Sequence, residues 1–279
     1  MKPAPAFLPC SAGIGLRAPH TRELLAHPPN VDWVEVHSEN FFAGGMPLAT
    51  LQRVRERHDV SLHGVGMGLA SPGALDPDHL TALRRLCQTV QPAAVSEHLS
   101  WNRMHGTVFN DLLPFPYTRD ALRHVTAKVH QVQEALGRTL LVENLSAYLT
   151  FENSEMSEGE FLAELATRTG CGLLVDLQNL HVNAVNHGTD ALAHLEALPA
   201  GHVMEYHLAG ASPQEGVLVD THDAPVSEAT WALYEAALER IGPRPTLIEW
   251  DQDLPELQVL LAEAQKAQQR LEACHAALC

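Results

Sequence analysis

The segment Leu173-Leu174-Val175-Asp176-Leu177-Gln178-Asn179-Leu180-His181 ends an apolar run at a carboxylate, and an amide and an imidazole follow it closely. Burying a carboxylate costs several kcal/mol unless something cationic receives it. Other apolar runs end in the same way, at His37, His63, His98, Glu143, His207 and Glu249, with Asp220-x-His222 in a neighbouring loop. Oxygen and nitrogen ligands without thiolate suit iron, manganese or zinc. The set exceeds what one ion can use, so it points to two or three ions bridged by a carboxylate.

Each residue alone has a plainer reading. A lone His63 or His98 is more often a hydrogen-bonded core histidine than a ligand. A strand-end acid such as Asp176 or Glu143 can cap a helix or pair with an arginine. The coincidence carries the metal reading, with His63, His98, Glu143, Asp176, Asn179, His207, Asp220, His222 and Glu249 as candidate ligands. His37, Glu39, Asn40, Asn144 and Asp251 are expected around them, lining the substrate pocket or bracing the ligands. His105, His181 and His187 fall in loops near the mouth without an assigned role. His79, His124, His130, His202 and His275 fall within helices or at strand starts and are expected to be solvated or structural.

The elements that must position these groups alternate. Short apolar runs at 12–16, 31–36, 59–62, 93–96, 139–142, 173–176, 202–206 and 246–248 read as strands. Helical periodicity lies between them, and 99–116 and 177–188 read as loops. In the helix 157–169, Ser157 and Glu160 form a capping box and Gly170 a stop. Strands alternating with helices imply a parallel sheet, and eight such units in a single domain spanning residues 1–279 fit an α/β (β/α)8 TIM barrel. No glycine-rich phosphate fingerprint follows any strand. In such a barrel the chemistry sits at the carboxyl ends of the strands, where these residues lie.

The 279 residues are 46% hydrophobic, enough for a barrel-sized core. The formal net charge of −16 is unfavourable for holding a phosphate backbone, which argues against a nucleic-acid partner. No apolar run is long enough to span a membrane and the first residues do not read as a signal peptide. The cysteines are odd in number and lack metal-ligand or disulfide spacing, so a reduced, cytoplasmic protein is expected.

Taken in order, Glu39-Asn40-Phe41, His63-Gly64-Val65, Ser96-Glu97-His98-Leu99-Ser100, Leu113-Pro114-Phe115-Pro116, Val142-Glu143-Asn144, Gly170-Cys171-Gly172-Leu173-Leu174-Val175-Asp176, His207-Leu208-Ala209-Gly210, Asp220-Thr221-His222 and Ile248-Glu249-Trp250-Asp251 resemble one family. It is the multinuclear non-haem iron-dependent oxidative enzymes, relatives of the oxygenase subunit of methanobactin biosynthesis, built on a xylose-isomerase-like TIM barrel. The resemblance implies an iron- and dioxygen-dependent oxidoreductase that modifies cysteine in a ribosomally made precursor peptide, with two or three irons per chain. It implies one iron on His63, His98 and Glu143, with Glu143 bridging to a second on Asp176, His207 and Glu249. A third would sit on Asn179, Asp220 and His222. It also implies a separate partner protein that presents the peptide. Gln178 and His181 depart from the family pattern beside the third group.

Two other classes could use the same ligand types. A metal-dependent sugar isomerase or a zinc phosphodiesterase of the endonuclease type would place them at the same mouth, although the charge disfavours the nuclease. A non-catalytic metal- or peptide-binding protein would need no turnover.

Overall fold

The computed structural model describes residues 7–104 and 107–278, so His105 lies outside the described residues. Eight parallel strands close into a barrel: β1 (Ala12–Gly15), β2 (Trp33–His37), β3 (Asp59–Gly64), β4 (Ala94–His98), β5 (Leu141–Glu143), β6 (Gly172–Asp176), β7 (Val203–Leu208) and β8 (Thr246–Ile248). Each strand pairs with its neighbours in sequence, and β8 returns to β1. The barrel is the expected (β/α)8 fold. Its strands are almost wholly buried because helices cover the outside and side chains fill the inside.

The outer layer comprises α1 (Ala18–Ala26), α2 (Gly45–Arg55), α3 (Pro77–Val90), α4 (Arg119–Leu136), α5 (Glu158–Thr169), α6 (Leu177–His187), α7 (Ala191–Ala197), α8 (Glu228–Arg240) and α9 (Leu257–Leu278). Local chemistry sets their ends. Asp76 caps α3 by accepting from Asp78 N and His79 N, Thr118 caps α4, and the Ser157–Glu160 capping box opens α5 as expected. None of the described helices is long and apolar enough to cross a membrane.

Two stretches expected to be loops are ordered. Residues 177–187 form α6, which starts directly at the end of β6, so His181 and His187 lie on a helix. Its stripe of Leu177 and Leu180 is interrupted by Gln178, Asn179 and Asn183, which disguise the helical period. Those amides are nonetheless buried and bonded: Thr230 Oγ1 donates to Gln178 Oε1 at 2.6 Å, and Asn183 Nδ2 donates to Leu145 O at 2.7 Å. The long segment after β4 carries an antiparallel hairpin, Trp101–Met104 against Thr107–Leu113. It lacks the alternation of a half-buried strand because much of it is exposed. A smaller hairpin, Ser212–Gln214 with Val217–Val219, follows β7.

Candidate metal centre

Strand register aligns the candidate residues in pairs. His37 lies beside His63 across β2 and β3, His98 beside Glu143 across β4 and β5, and Asp176 beside His207 across β6 and β7. Side chains two apart on a strand share a face. Ser96 therefore lies on the same inner face as His98, Glu35 as His37, and Glu205 as His207.

The first group is compact. His63 Nε2 lies 3.1 Å and His98 Nε2 3.2 Å from Glu143 Oε2, with 3.4 Å between the two nitrogens. The far side of each ring is held: His63 Nδ1 meets Ser96 Oγ at 2.7 Å and His98 Nδ1 meets Gly64 O at 2.9 Å. Gly64 O can only accept, so His98 Nδ1 is the donor there and Nε2 is turned toward Glu143, while the Ser96 hydroxyl holds the His63 ring in the matching orientation; metal-ligating histidines are held from behind in this way.

Glu143 faces two ways. Its other oxygen, Oε1, lies 3.6 Å from His207 Nδ1, which is 3.1 Å from Glu249 Oε2. Asp176, Glu143 and His207 gather their ligand atoms within 4.8 Å of one another. The opposite nitrogen of His207 lies 3.4 Å from Glu35 and 3.5 Å from Glu205.

The third group stands on the first turn of α6 and on the loop that carries Asp220 and His222. Asp176 Oδ1 caps α6 by accepting from Asn179 N at 2.6 Å, which turns Asn179 back to the mouth. His222 Nε2 lies 2.9 Å from Asp220 Oδ1, and His222 Nδ1 lies 3.5 Å from Glu249. His222 has a left-handed backbone, φ 48°, which a non-glycine residue adopts at a cost. Its N donates to Gly210 O at 3.1 Å and its O accepts from Asp251 N at 2.8 Å, which anchors the turn. Gly210 permits this approach, since a Cβ there would stand 2.1 Å from Ala224 O.

The electrostatics are those of a buried acid–imidazole cluster. Burial opposes a charge on His63, but Glu35 and Glu143 outweigh it and lift the imidazole to about 10. Burial pushes Glu143 up, and His98 and His63 overcome that and bring it to about 2. Burial wins at Asp176, held well above the usual carboxylate range, and at Glu205, pushed up to about 7.

The donor set fits metal. Asp176 Oδ2 and Asn179 Oδ1 are buried without a hydrogen-bond partner among the described residues, and Glu143 Oε2, Asp220 Oδ1 and His222 Nε2 are buried facing other members of the cluster without hydrogen-bond geometry. Unsatisfied buried polar atoms cost about 1–3 kcal/mol each, and their convergence suits a shared cation. Ligands about 2.1 Å from a common ion stand roughly 3.0–3.4 Å apart, the separation seen among His63, His98 and Glu143.

The bracing residues divide. Asn144 Nδ2 donates to Asp176 O at 2.9 Å and Asn144 Oδ1 accepts from Asp176 N at 2.9 Å, clamping β5 to β6. His37 Nε2 lies 3.6 Å from Glu249 Oε1, and Asp251 Oδ2 lies 3.4 Å from His222 Nδ1. Glu39 is not brought to the mouth; its Oε1 accepts from Val65 N and Gly66 N at 3.0 and 2.8 Å. Asn40 is exposed. His181 makes no described contact with the cluster, and His187 Nε2 meets Ala147 O at 2.6 Å.

Three participants escape the strand-end pattern. Arg17 donates to Asp251 Oδ1 at 2.6 Å and to Glu249 Oε1 at 3.0 Å, although it lies in the β1–α1 connection where no acid or imidazole drew notice. Glu35, which the sequence places with His37 as a pocket-lining acid, instead lies behind His207, and Glu205 sits two residues before His207, where the strand period of two could have found it.

Residues 11–272 match the family described as RiPP precursor modification enzyme MbnB/TglH/ChrH, RiPP denoting ribosomally synthesised and post-translationally modified peptides. The chain belongs to this family. It is the family its motifs resemble, and membership makes the protein an enzyme of precursor-peptide modification with an implied metal cofactor. A UPF0276 protein of Chromobacterium violaceum is 58% identical over 261 residues, covering 94% of this chain and 95% of that one. A UPF0276 protein of Acaryochloris marina is 48% identical over 92% of this chain and 93% of its own length. Among solved structures, the D-psicose 3-epimerase of Clostridium cellulolyticum aligns with a TM-score of 0.61 at 11% identity, over 95% of this chain and 98% of that one. Endonuclease IV of Thermus thermophilus aligns with a TM-score of 0.59 at 16% identity, over 92% and 99%. At such identity these two show the shared barrel alone.

Proposed function

We propose that this enzyme is an iron- and dioxygen-dependent oxidase that modifies a cysteine of a ribosomally made precursor peptide. The observation that carries the reading is the two-way carboxylate of Glu143, with Oε2 toward His63 and His98 and Oε1 toward His207. On this reading His63, His98 and Glu143 would hold one iron, Glu143 with Asp176, His207 and Glu249 would hold a second, and Asn179, Asp220 and His222 would hold a third. Bound iron would supply a redox couple and open positions for a thiolate and for dioxygen.

The chain's own residues do the rest. Ser96, Gly64 O, Glu35 and Glu205 orient the imidazoles, and Asn144 fixes Asp176 against Glu143. Arg17 offsets part of the charge of Glu249 and Asp251. The mouth is a cavity of about 160 Å³ lined in part by His37, Leu112, Leu145 and Gln252. Its volume suits one cysteine side chain on an extended peptide. A separate protein that presents the peptide, and a cytoplasmic location, complete the proposal.

The test is mass spectrometry of candidate cysteine-containing precursor peptides, with their presenting protein, after incubation with anaerobically iron-reconstituted enzyme and then air. The proposal expects a mass change confined to a cysteine-bearing fragment, oxygen uptake, and neither with a Cys→Ser peptide. Modification that proceeds without oxygen, or that persists on the serine peptide, would overturn it.

A further inference from the structure

Behind the same strand ends, between the barrel wall and α3, Glu39, His79 and Glu97 form a second cluster outside the mouth. Glu39 stands in the 3₁₀ turn Ser38–Phe41, His79 in the first turn of α3, and Glu97 on β4, where the strand alternation points it away from His98. Their ligand atoms all lie within 4.8 Å of one another, and His79 Nε2 is 3.5 Å from Glu39 Oε1.

Each residue brings an uncommitted atom. Glu39 Oε1 accepts from the loop amides Val65 N and Gly66 N, and Glu97 Oε1 accepts from His98 N at 3.2 Å. Glu39 Oε2, Glu97 Oε2 and His79 Nε2 are buried with no hydrogen-bond partner. Glu97 is 0% exposed and the His79 side chain 8%. The nearby cation is engaged elsewhere: Arg103 donates to Gly66 O at 3.3 Å and pairs with Asp76. Two glycines leave room for the cluster. A Cβ at Gly64 would stand 2.2 Å from Glu97 Oε2, and one at Gly66 would stand 3.0 Å from both Glu39 Oε1 and His79 Cε1.

We propose that Glu39, His79 and Glu97 bind a divalent first-row transition ion, zinc or manganese, at a site separate from the cluster inside the barrel. One imidazole and two carboxylates are ordinary ligands for such ions. The ion ties the turn after β2, the loop after β3, the start of α3 and the end of β4 into one support behind His63 and His98. It takes no part in the oxidation.

The test is elemental analysis of the full-length protein, stripped with chelator and reloaded with zinc alone or manganese alone. The background variant His98→Ala/Asp176→Ala/His222→Ala removes a ligand from each of the three groups at the mouth, and its circular dichroism checks the fold. The expected result is about one ion per chain retained in that background, and none once Glu97→Gln or His79→Gln is added. In the otherwise unaltered chain, Glu97→Gln loses one ion while the coupled iron signal of the barrel cluster persists, so the two sites fail independently. No retained ion in a folded background overturns the proposal. So does an unchanged ion count in Glu97→Gln of the otherwise unaltered chain, a measurement that stands even if the background variant does not fold.

Discussion

Asn144→Leu tests whether the clamp between β5 and β6 organises the cluster. Asn144 is 0% exposed, and its amide makes two bonds of 2.9 Å to the backbone of Asp176. Leucine nearly fills the volume but offers neither partner, so the N–H of Asp176 is left buried and unpaired, while its C=O, which as the N-cap carbonyl of α6 accepts the first intrahelical bond, loses only its second donor. The expected loss is about 1–3 kcal/mol. For a chain of this size, roughly 2–4 °C is lost per kcal/mol, so the melting temperature of metal-stripped protein should fall by on the order of 5 °C. Asp176 also loses its fixed position opposite Glu143, and bracing residues of this kind are worth about 10–100-fold in metal affinity. Thermal melts of stripped protein read the first effect and iron titration reads the second. A variant that melts within about 2 °C of the parent and binds iron equally well would refute the reasoning.

Three further outcomes follow from the same geometry. Burial holds the Glu158 carboxyl up to about 7, partly offset by bonds from Leu145 N and the Tyr117 hydroxyl. Its folded value lies above its unfolded one, so the stability it contributes is complete below about pH 4.5 and is lost as pH rises to about 7, a span of about 3 kcal/mol. Glu158→Gln should therefore melt higher than the parent at pH 8 and near it at pH 4.5; equal melting at both would contradict this. Gly210→Ala should cost about 1–3 kcal/mol by driving a methyl into Ala224 O, and should deplete the ion on Asn179, Asp220 and His222 first. Full ion content in that variant would dissociate the loop from the third group. Chelator should lower the melting temperature of the loaded protein by mass action, about 2.7 kcal/mol per site at a hundredfold excess over Kd, and an unchanged melt after verified stripping would count against buried ligands.

Much of the barrel was legible because its strands announce themselves as apolar runs that stop at chemically distinctive residues. The residues gathered around Glu143 and Asp176 stood out for the same reason, while Asp220 and His222 stood out only as an acid–imidazole pair in a loop. What stayed hidden was hidden by burial of polar groups. The amides of Gln178 and Asn183 are buried with bonds to the fold and that of Asn179 lies at the mouth, so α6 lacked a clean apolar stripe. Arg17 joins the site from more than two hundred positions away from Glu249, across the closure of β1 on β8, which no local pattern encodes. His79, expected to be solvated or structural, is buried beside two acids, because the first turn of α3 is pressed against the β4 wall.

The most direct test of the central claim is elemental analysis with Mössbauer spectroscopy of protein purified from iron-replete cells, beside His98→Ala and Asp176→Ala. The account predicts two or three irons per chain, at least two of them magnetically coupled, and depletion in both variants. Stoichiometric zinc with no coupled iron signal after anaerobic reconstitution would contradict it, and no bound metal under either condition would contradict the cluster itself.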